Sequence, residues 1–456
     1  MRLLALACVV AAVGCGSAHA ATAGWVGTYR LPASAVPVDI SVQLHGARAT
    51  VSMGYGHPAR TDVAASVRGP HVRFVLPGLP ANVVFEGTSK GRVLAGTVSQ
   101  GALRGSFRFA RGTSKVLPLF GLYRSSTGAV FTVVRAHGFP AWLVELPSGR
   151  THGIGASLTV GAHLGDTSGN GSLALDAAGI SWQGTHYDRV ALRQREVRVG
   201  AIAATLTLPP GNGPFPAAVM VHGSGPANRE EFQTFAAYLA SQGVAVLAGD
   251  KRGIGQSTGM YPGERATEST IAVLARDAEA ETRFVAALPQ IDRPRVGLFG
   301  DSQAGWIIPV AAEREHAVRW ALPLVGPTVT AGESDTWGSL AGKSQGPPSG
   351  TRAQMLAQVR GLGPNGVDPK PTLAKLDIPV FWVYGDDDRN VPTELCVESL
   401  QKLKAGHDFT WTVLPMTHAL LELPTGLYSS LSRSPGFEPG LFPAIGEWLG
   451  SRGIVR

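Results

Sequence analysis

Cysteine is scarce in this chain, and its placement decides what the scarcity excludes. Of three cysteines, Cys8 and Cys15 fall within the first fifteen residues, so beyond them Cys396 stands alone and no internal disulfide framework exists. Cys396 lies in Pro392-Thr393-Glu394-Leu395-Cys396-Val397-Glu398, a helical pattern in which it reads as a small buried hydrophobe. Membrane-spanning apolar runs are missing as well: Leu3 to Val13 is too short to cross a bilayer. Charged residues make up only 16% of the chain and hydrophobic ones 44%, which excludes a disordered protein and a multi-span membrane protein. The net charge is +7, yet no dense basic run is interleaved with aromatics. The basic residues therefore read as a solvated surface, and no nucleic-acid partner is expected.

Glycine (58) and proline (32) are plentiful, as a chain with many turns requires. Arg2, the apolar run Leu3–Val13 and Ala18-His19-Ala20 have the order of a secretory signal over residues 1–20, so export to the periplasm or beyond is expected. A second reading cleaves after Gly14 and leaves Cys15 lipidated. From Trp25 to Arg111 apolar residues alternate, as in Ile40, Val42 and Leu44, a turn, then Val51 and Met53. A second β-rich stretch runs from Leu117 to Arg193. The expectation is a β-rich region over 24–193, as one or two antiparallel barrels or sandwiches (24–111 and 117–193). Near residue 194 the pattern changes to strands alternating with helices, which predicts a mainly parallel sheet with helices on both faces over 195–456. Its strands are expected at Ala217–Val221, Val244–Ala248, Val296–Phe299, Trp320–Val325, Pro379–Tyr384 and Phe409–Leu414. Only a short cap, near 330–375, interrupts them.

Chemistry enters at Gly300-Asp301-Ser302-Gln303-Ala304, where an apolar strand stops at a serine and an amphipathic segment begins. This reads as a nucleophile elbow, in which the small Gly300 and Ala304 let strand and helix pass closely. Serine is a weak nucleophile at neutral pH and needs a base held by an acid. The strand Pro379–Tyr384 ends at Gly385-Asp386-Asp387-Asp388, and the strand Phe409–Leu414 ends at Pro415-Met416-Thr417-His418, in the order serine, acid, histidine. Parallel strands deliver both to one rim. His222-Gly223-Ser224-Gly225-Pro226 follows another buried strand and offers backbone N–H groups to an oxyanion. His222 itself reads as a structural histidine bonded to nearby backbone. No histidine pair has metal-ligand spacing, so neither a metal nor any cofactor is expected.

With His222–Pro226, Asp250-Lys251-Arg252-Gly253-Ile254-Gly255-Gln256-Ser257, the Ser302 elbow, Gly385-x-x-Asp388-x-x-Val391-Pro392 and Thr417-His418 in this order, the chain resembles the α/β-hydrolase superfamily. More narrowly, it is similar to bacterial carboxylesterase-type hydrolases with an N-terminal β domain. The resemblance implies Ser302 as nucleophile, His418 as base, Asp388 as orienting acid and the amides of Ser224 and Gln303 as oxyanion donors. It gives Asp250 and Arg252 a scaffold role. The expected reaction is hydrolysis of a small, short-chain ester. A thioesterase, a serine aminopeptidase using Asp301 or Glu231 for the substrate amine, and a non-catalytic binder that captures an apolar ligand in its β region remain as alternatives.

Overall fold

The computed structural model describes residues 24–455 except 31–37, 54–60, 77–81, 113–118, 137–138, 156–157, 167–168, 344–346 and 423–433. The expected leader, with Cys8 and Cys15, lies outside the described residues. The chain forms two compact units, one of the amino-terminal residues through Val116 and one from Leu117 to Arg456.

The first unit is a closed antiparallel barrel of β1 (Gly24–Arg30), β2 (Val38–His45), β3 (Arg48–Met53), β4 (Thr61–Arg68), β5 (His71–Leu76), β6 (Val83–Lys90), β7 (Val93–Gln100) and β8 (Leu103–Gly112). Each strand pairs with the next, and β8 returns to β1. Closure leaves no edge strand unpaired. The inward positions carry Trp25, Tyr29, Phe74, Phe85, Phe107 and Phe109, all buried. Phe85 stacks on Phe74 at 4.6 Å and meets Tyr29 edge-on at 4.9 Å between ring centroids. A methyl group at Gly87 would come within 2.6 Å of the Phe107 ring. Rings therefore occupy the interior, which is where an apolar ligand would have to sit.

The second unit opens with a nine-stranded antiparallel sheet: β9 (Gly121–Ser125), β10 (Val130–Ala136), β11 (Phe139–Leu146), β12 (Thr151–Ile154), β13 (Thr159–Gly161), β14 (Gly169–Ser172), β15 (Ala174–Leu175), β16 (Gly179–Trp182) and β17 (Thr185–Arg189). An eight-stranded sheet follows in the order β18-β19-β21-β20-β22-β23-β24-β25. Its members are β18 (Arg193–Val199), β19 (Ile202–Leu208), β20 (Phe215–Val221), β21 (Ala245–Gly249), β22 (Ile291–Asp301), β23 (Trp320–Leu324), β24 (Val380–Asp387) and β25 (Phe409–Thr417). From β21 to β25 the pairing is parallel, and β18 and β19 add an antiparallel hairpin at one edge. The helices are α1 (Gln233–Ser241), α2 (Glu268–Ala286), α3 (Ala304–Arg314), α4 (Ala331–Ala341), α5 (Arg352–Leu362), α6 (Lys370–Leu373), α7 (Thr393–Leu403) and α8 (Leu441–Ser451). The α/β-hydrolase architecture and the β-rich region before it are thus as expected. The three cap helices α4 to α6 fill the interval between β23 and β24.

The change of sheet falls at residues 189–193, but the hydrophobic core crosses it. Leu122, Val134, Val144 and Leu146 are buried in one cluster with Phe232, Phe235, Tyr238 and Phe442. Arg135 reinforces the contact: its backbone N–H donates to Gln233 Oε1 (3.2 Å) and its guanidinium to Glu230 Oε1 (2.8 Å). This sheet carries two apolar faces, since Tyr123, Phe131, Leu143 and Trp182 form a separate cluster of their own. It therefore covers one side of the hydrolase instead of folding apart from it.

Candidate active site

The eight-stranded sheet creates the site at one rim. β20 lies between β21 and β22, so the chain leaves its carboxyl end toward one side and returns on the other. Such a switch point opens a crevice beyond the strand ends. Val296 to Gly300 are fully enclosed in β22, and the backbone then turns at Ser302 with φ of 52°, a left-handed conformation that L-residues rarely adopt. The Ser302 N–H donates to Leu324 O at 2.9 Å, which fixes the turn to β23. A Cβ on Gly300 would lie 2.6 Å from that of Ala304. One residue on, a Cβ at Gly305 would come within 2.5 Å of Pro327 N, so α3 also passes closely over the Gly326–Pro327 backbone at Gly305.

Three sequence-predicted residues meet here. His418 Nε2 lies 2.9 Å from Ser302 Oγ, and His418 Nδ1 lies 2.8 Å from Asp388 Oδ2. The other Asp388 oxygen accepts the N–H groups of Asn390 and Val391, both at 2.8 Å. Of the three consecutive aspartates, Asp388 is the one that reaches the histidine, and its side chain is fully buried. Burial by itself would lower the His418 pKa. The Asp388 carboxylate, its hydrogen bond and the nearby Asp301 outweigh that and hold it above the usual value. Cap helix α4 braces the acid loop: Trp337 Nε1 donates to Asp388 O (3.1 Å) and Ser334 Oγ to Asn390 O (3.1 Å).

The Gly223–Gly225 loop sits against the serine, since a Cβ on Gly223 would be 3.2 Å from Ser302 Cβ. Ser224 is exposed on this loop, and Gln303, buried, is the N-cap of α3. Asp301 occupies a different place from the substrate-facing one considered from sequence. Its Oδ1 accepts the Gly223 N–H at 3.0 Å, beneath the loop. Burial pushes its carboxyl above the usual range, against the pull of His418, the Gly223 amide and Lys251. Lys251, which the sequence reading passed over between two scaffold residues, donates to Gly223 O and, at 3.0 Å, to Gly225 O. Burial lowers its pKa to about 8, although Asp301, Glu231 and Glu264 favour the cation. A lysine two residues after the fully buried strand β21 was the available signal.

His222 is structural: its Nε2 lies 2.7 Å from Gly249 O, and burial lowers its pKa to about 4, so it is neutral and donates to that carbonyl. Asp250 and Arg252 have separate partners. Asp250 accepts from Gln256 N (2.8 Å) and takes a bidentate bond from Arg229, which sequence reasoning did not single out. Arg252 instead pairs with Asp277 on α2.

The family described as serine aminopeptidase, S33, matches residues 214–347. Esterase EstD of Thermotoga maritima is 31% identical over 140 residues, 29% of this chain and 32% of that protein. The mitochondrial acyl-coenzyme A thioesterase 2 of Mus musculus is 25% identical over 231 residues, 49% of this chain and 48% of that protein. The chain thus spans about a third to a half of these relatives. Among solved structures, the Pyrococcus furiosus esterase Pf2001 is similar over 57% of this chain and 91% of its own, at 16% identity and a TM-score of 0.41. The Pyrococcus horikoshii acylaminoacyl peptidase is similar over 91% and 79%, at 11% identity and a TM-score of 0.41. Through the unit that holds Ser302, the chain belongs to the α/β-hydrolase superfamily.

Proposed function

We propose that this protein is an exported serine hydrolase of small carboxylic esters. The observation that carries the reading is the continuous hydrogen-bonded line from Ser302 Oγ through His418 to Asp388. In this mechanism Ser302 Oγ attacks the ester carbonyl while His418 Nε2 takes its proton, and Asp388 stabilises the imidazolium. The amides of Ser224 and Gln303 donate to the oxyanion. The tetrahedral species collapses, the alcohol leaves with the proton from His418, and the acyl group remains on Ser302. Water, deprotonated by the same histidine, then attacks the acyl-enzyme and releases the acid. No cofactor enters this sequence. The short cap between β23 and β24 supports a preference for short acyl chains reached from an open cleft. Of the two carboxylates considered for a substrate amine, Asp301 is engaged by Gly223 beneath the loop, which leaves Glu231 for an aminopeptidase.

A fluorescent fluorophosphonate should label the wild type and leave Ser302→Ala unlabelled. Absence of labelling in folded wild type would remove the serine-hydrolase reading. With aryl esters of increasing acyl length, acyl thioesters and aminoacyl anilides side by side, the shortest esters should turn over fastest. A tenfold preference for thioesters or anilides would reassign the substrate without touching the nucleophile.

A further inference from the structure

The positive charge of this protein is concentrated in its barrel. Residues 24–115 contain eleven Lys and Arg against Asp39, Asp62 and Glu86, so this fifth of the chain exceeds the net +7 of the whole, and the remainder is close to neutral. The meander sorts these charges by end. Strand directions alternate, so the β2–β3, β4–β5 and β6–β7 turns, the start of β1 and the end of β8 share one rim. That rim carries His45 and Arg48, then Arg68 and His71, then Lys90 and Arg92, then Arg111, all exposed. Adjacent hairpin ends are bonded to one another: Ala65 N–H to Ala47 O (2.9 Å), Ser89 N–H to Pro70 O (2.7 Å) and Arg111 N–H to Arg92 O (2.7 Å). Among the described residues the rim has no acid. Asp39 and Asp62 begin their strands at the opposite end, and Glu86 is held by Arg73 at 2.8 Å. The separation of charge is a property of the barrel's topology and is invisible as a run in the sequence.

We propose that this rim is a docking surface for a bilayer containing anionic phospholipid headgroups. Four observations select a bilayer. The turns are short, with Gly46, Gly69 and Gly91 at positive φ, so the cations stand on a low ring suited to a plane. Among the described residues no exposed aromatic of the rim offers a stacking platform for bases: Trp25 is buried, with the Arg111 guanidinium 5.8 Å from its ring. Val67, 45% exposed beside Arg68, adds an apolar contact of the kind that enters a headgroup layer. Finally, the chain enters the barrel at this rim, at Gly24, about ten residues after the apolar run Leu3–Val13, a reach of at most roughly 35 Å. An amino-terminal segment held at a membrane, by the leader before cleavage or by a lipid on Cys15, presents the basic rim first.

The test is co-sedimentation of the full chain, with Cys15→Ser throughout so that no lipid is attached. The vesicles are pure phosphatidylcholine or phosphatidylcholine with about one third phosphatidylglycerol, at about 0.05 M and about 0.5 M salt. Binding to neutral vesicles measures the leader alone. Each cation near an anionic surface is worth about fivefold in binding. The combined variant Arg48→Gln, Arg68→Gln, Lys90→Gln, Arg92→Gln should therefore lose at least tenfold of the phosphatidylglycerol-dependent binding. The matched control Arg195→Gln, Arg276→Gln, Arg319→Gln, Lys402→Gln, outside the barrel and equal in charge removed, should keep it. Near-ultraviolet circular dichroism should be unchanged in both. Wild-type binding that ignores phosphatidylglycerol, equal loss in the two variants, or tighter rim-dependent binding to duplex DNA or heparin than to the vesicles would each overturn the proposal.

Discussion

Ser302 is held in a left-handed turn by a hydrogen bond from its backbone N–H to Leu324 O, and the residues assigned to activate it in the proposed reaction arrive from elsewhere in the chain. Because His418 is raised above its usual pKa by Asp388 and must be neutral to accept the serine proton, kcat/KM should fall with decreasing pH through a midpoint above the ordinary histidine value. Asp388→Asn should lower kcat by about three to four orders of magnitude, through the wrong histidine tautomer, and move that acid limb downward. A pH series of ester hydrolysis reads both effects, and an unmoved limb would mean that another group titrates. Lys251 acts one step further out, by holding the carbonyls of Gly223 and Gly225. Lys251→Met should reduce kcat at least tenfold with KM changed by no more than about threefold, since a misplaced donor is felt chiefly in the transition state. Its pKa of about 8 places a loss of the cation on the alkaline side, so the wild type should decline above that pH and the methionine variant should lack this decline. The elbow, His418 and the aspartate loop were legible as residues following strands. Lys251 and the inward turn of Asp301 were not, because sequence shows which residues neighbour along the chain and not which carbonyl a side chain reaches.

Among the elements, α2 was readable from the helical spacing of Ile271, Leu274, Ala278 and Val285, which it buries against the sheet, while its Thr267 cap is seen only in the structure. The pattern did not reveal that the same face buries Glu281. Burial, with Asp277 nearby, pushes its carboxyl up to about 8, so the folded state keeps a proton that the unfolded chain releases near its ordinary value of 4.5. The folded state therefore binds more protons between those values, and the contribution of this group to stability falls as pH rises from about 4.5 to 8. Glu281→Gln removes the ionisable group while keeping the shape. Thermal melting should find this variant more stable than wild type at pH 8, with the gap closing toward pH 5. A constant difference across pH would assign the effect to packing alone. Strand periodicity was equally informative for β20 to β25, but the β18–β19 hairpin went unread. Its outer strand has only Val197 and Val199 as apolar residues, and an edge strand carries a weaker alternation than a buried one.

For the whole molecule, the change of pattern near residue 194 marks a change of sheet, while the division between compact units lies after Val116. Leu122, Val134, Val144 and Leu146 belong to the hydrolase core, each side chain worth about 1.5–3 kcal/mol when buried. A chain starting at Leu117 should therefore melt cooperatively and hydrolyse esters at a rate within about threefold of the full chain. One starting at Arg193 should expose Phe232, Phe235 and Tyr238 and be recovered largely insoluble. Expression, calorimetry and an ester assay of the two fragments compare them directly, and a soluble, active shorter fragment would show that the antiparallel sheet is dispensable. The amino-acid sequence by itself determined the class of each half, because period-two and alternating strand-helix patterns are local properties of the backbone. It also determined the identity and order of the serine, acid and histidine, since turn chemistry after a strand is local too. Only the tertiary structure decided what Asp301 and Lys251 hold, and where the basic residues of the barrel gather. Each of those is a distance between residues far apart in the chain, set by strand order and core packing.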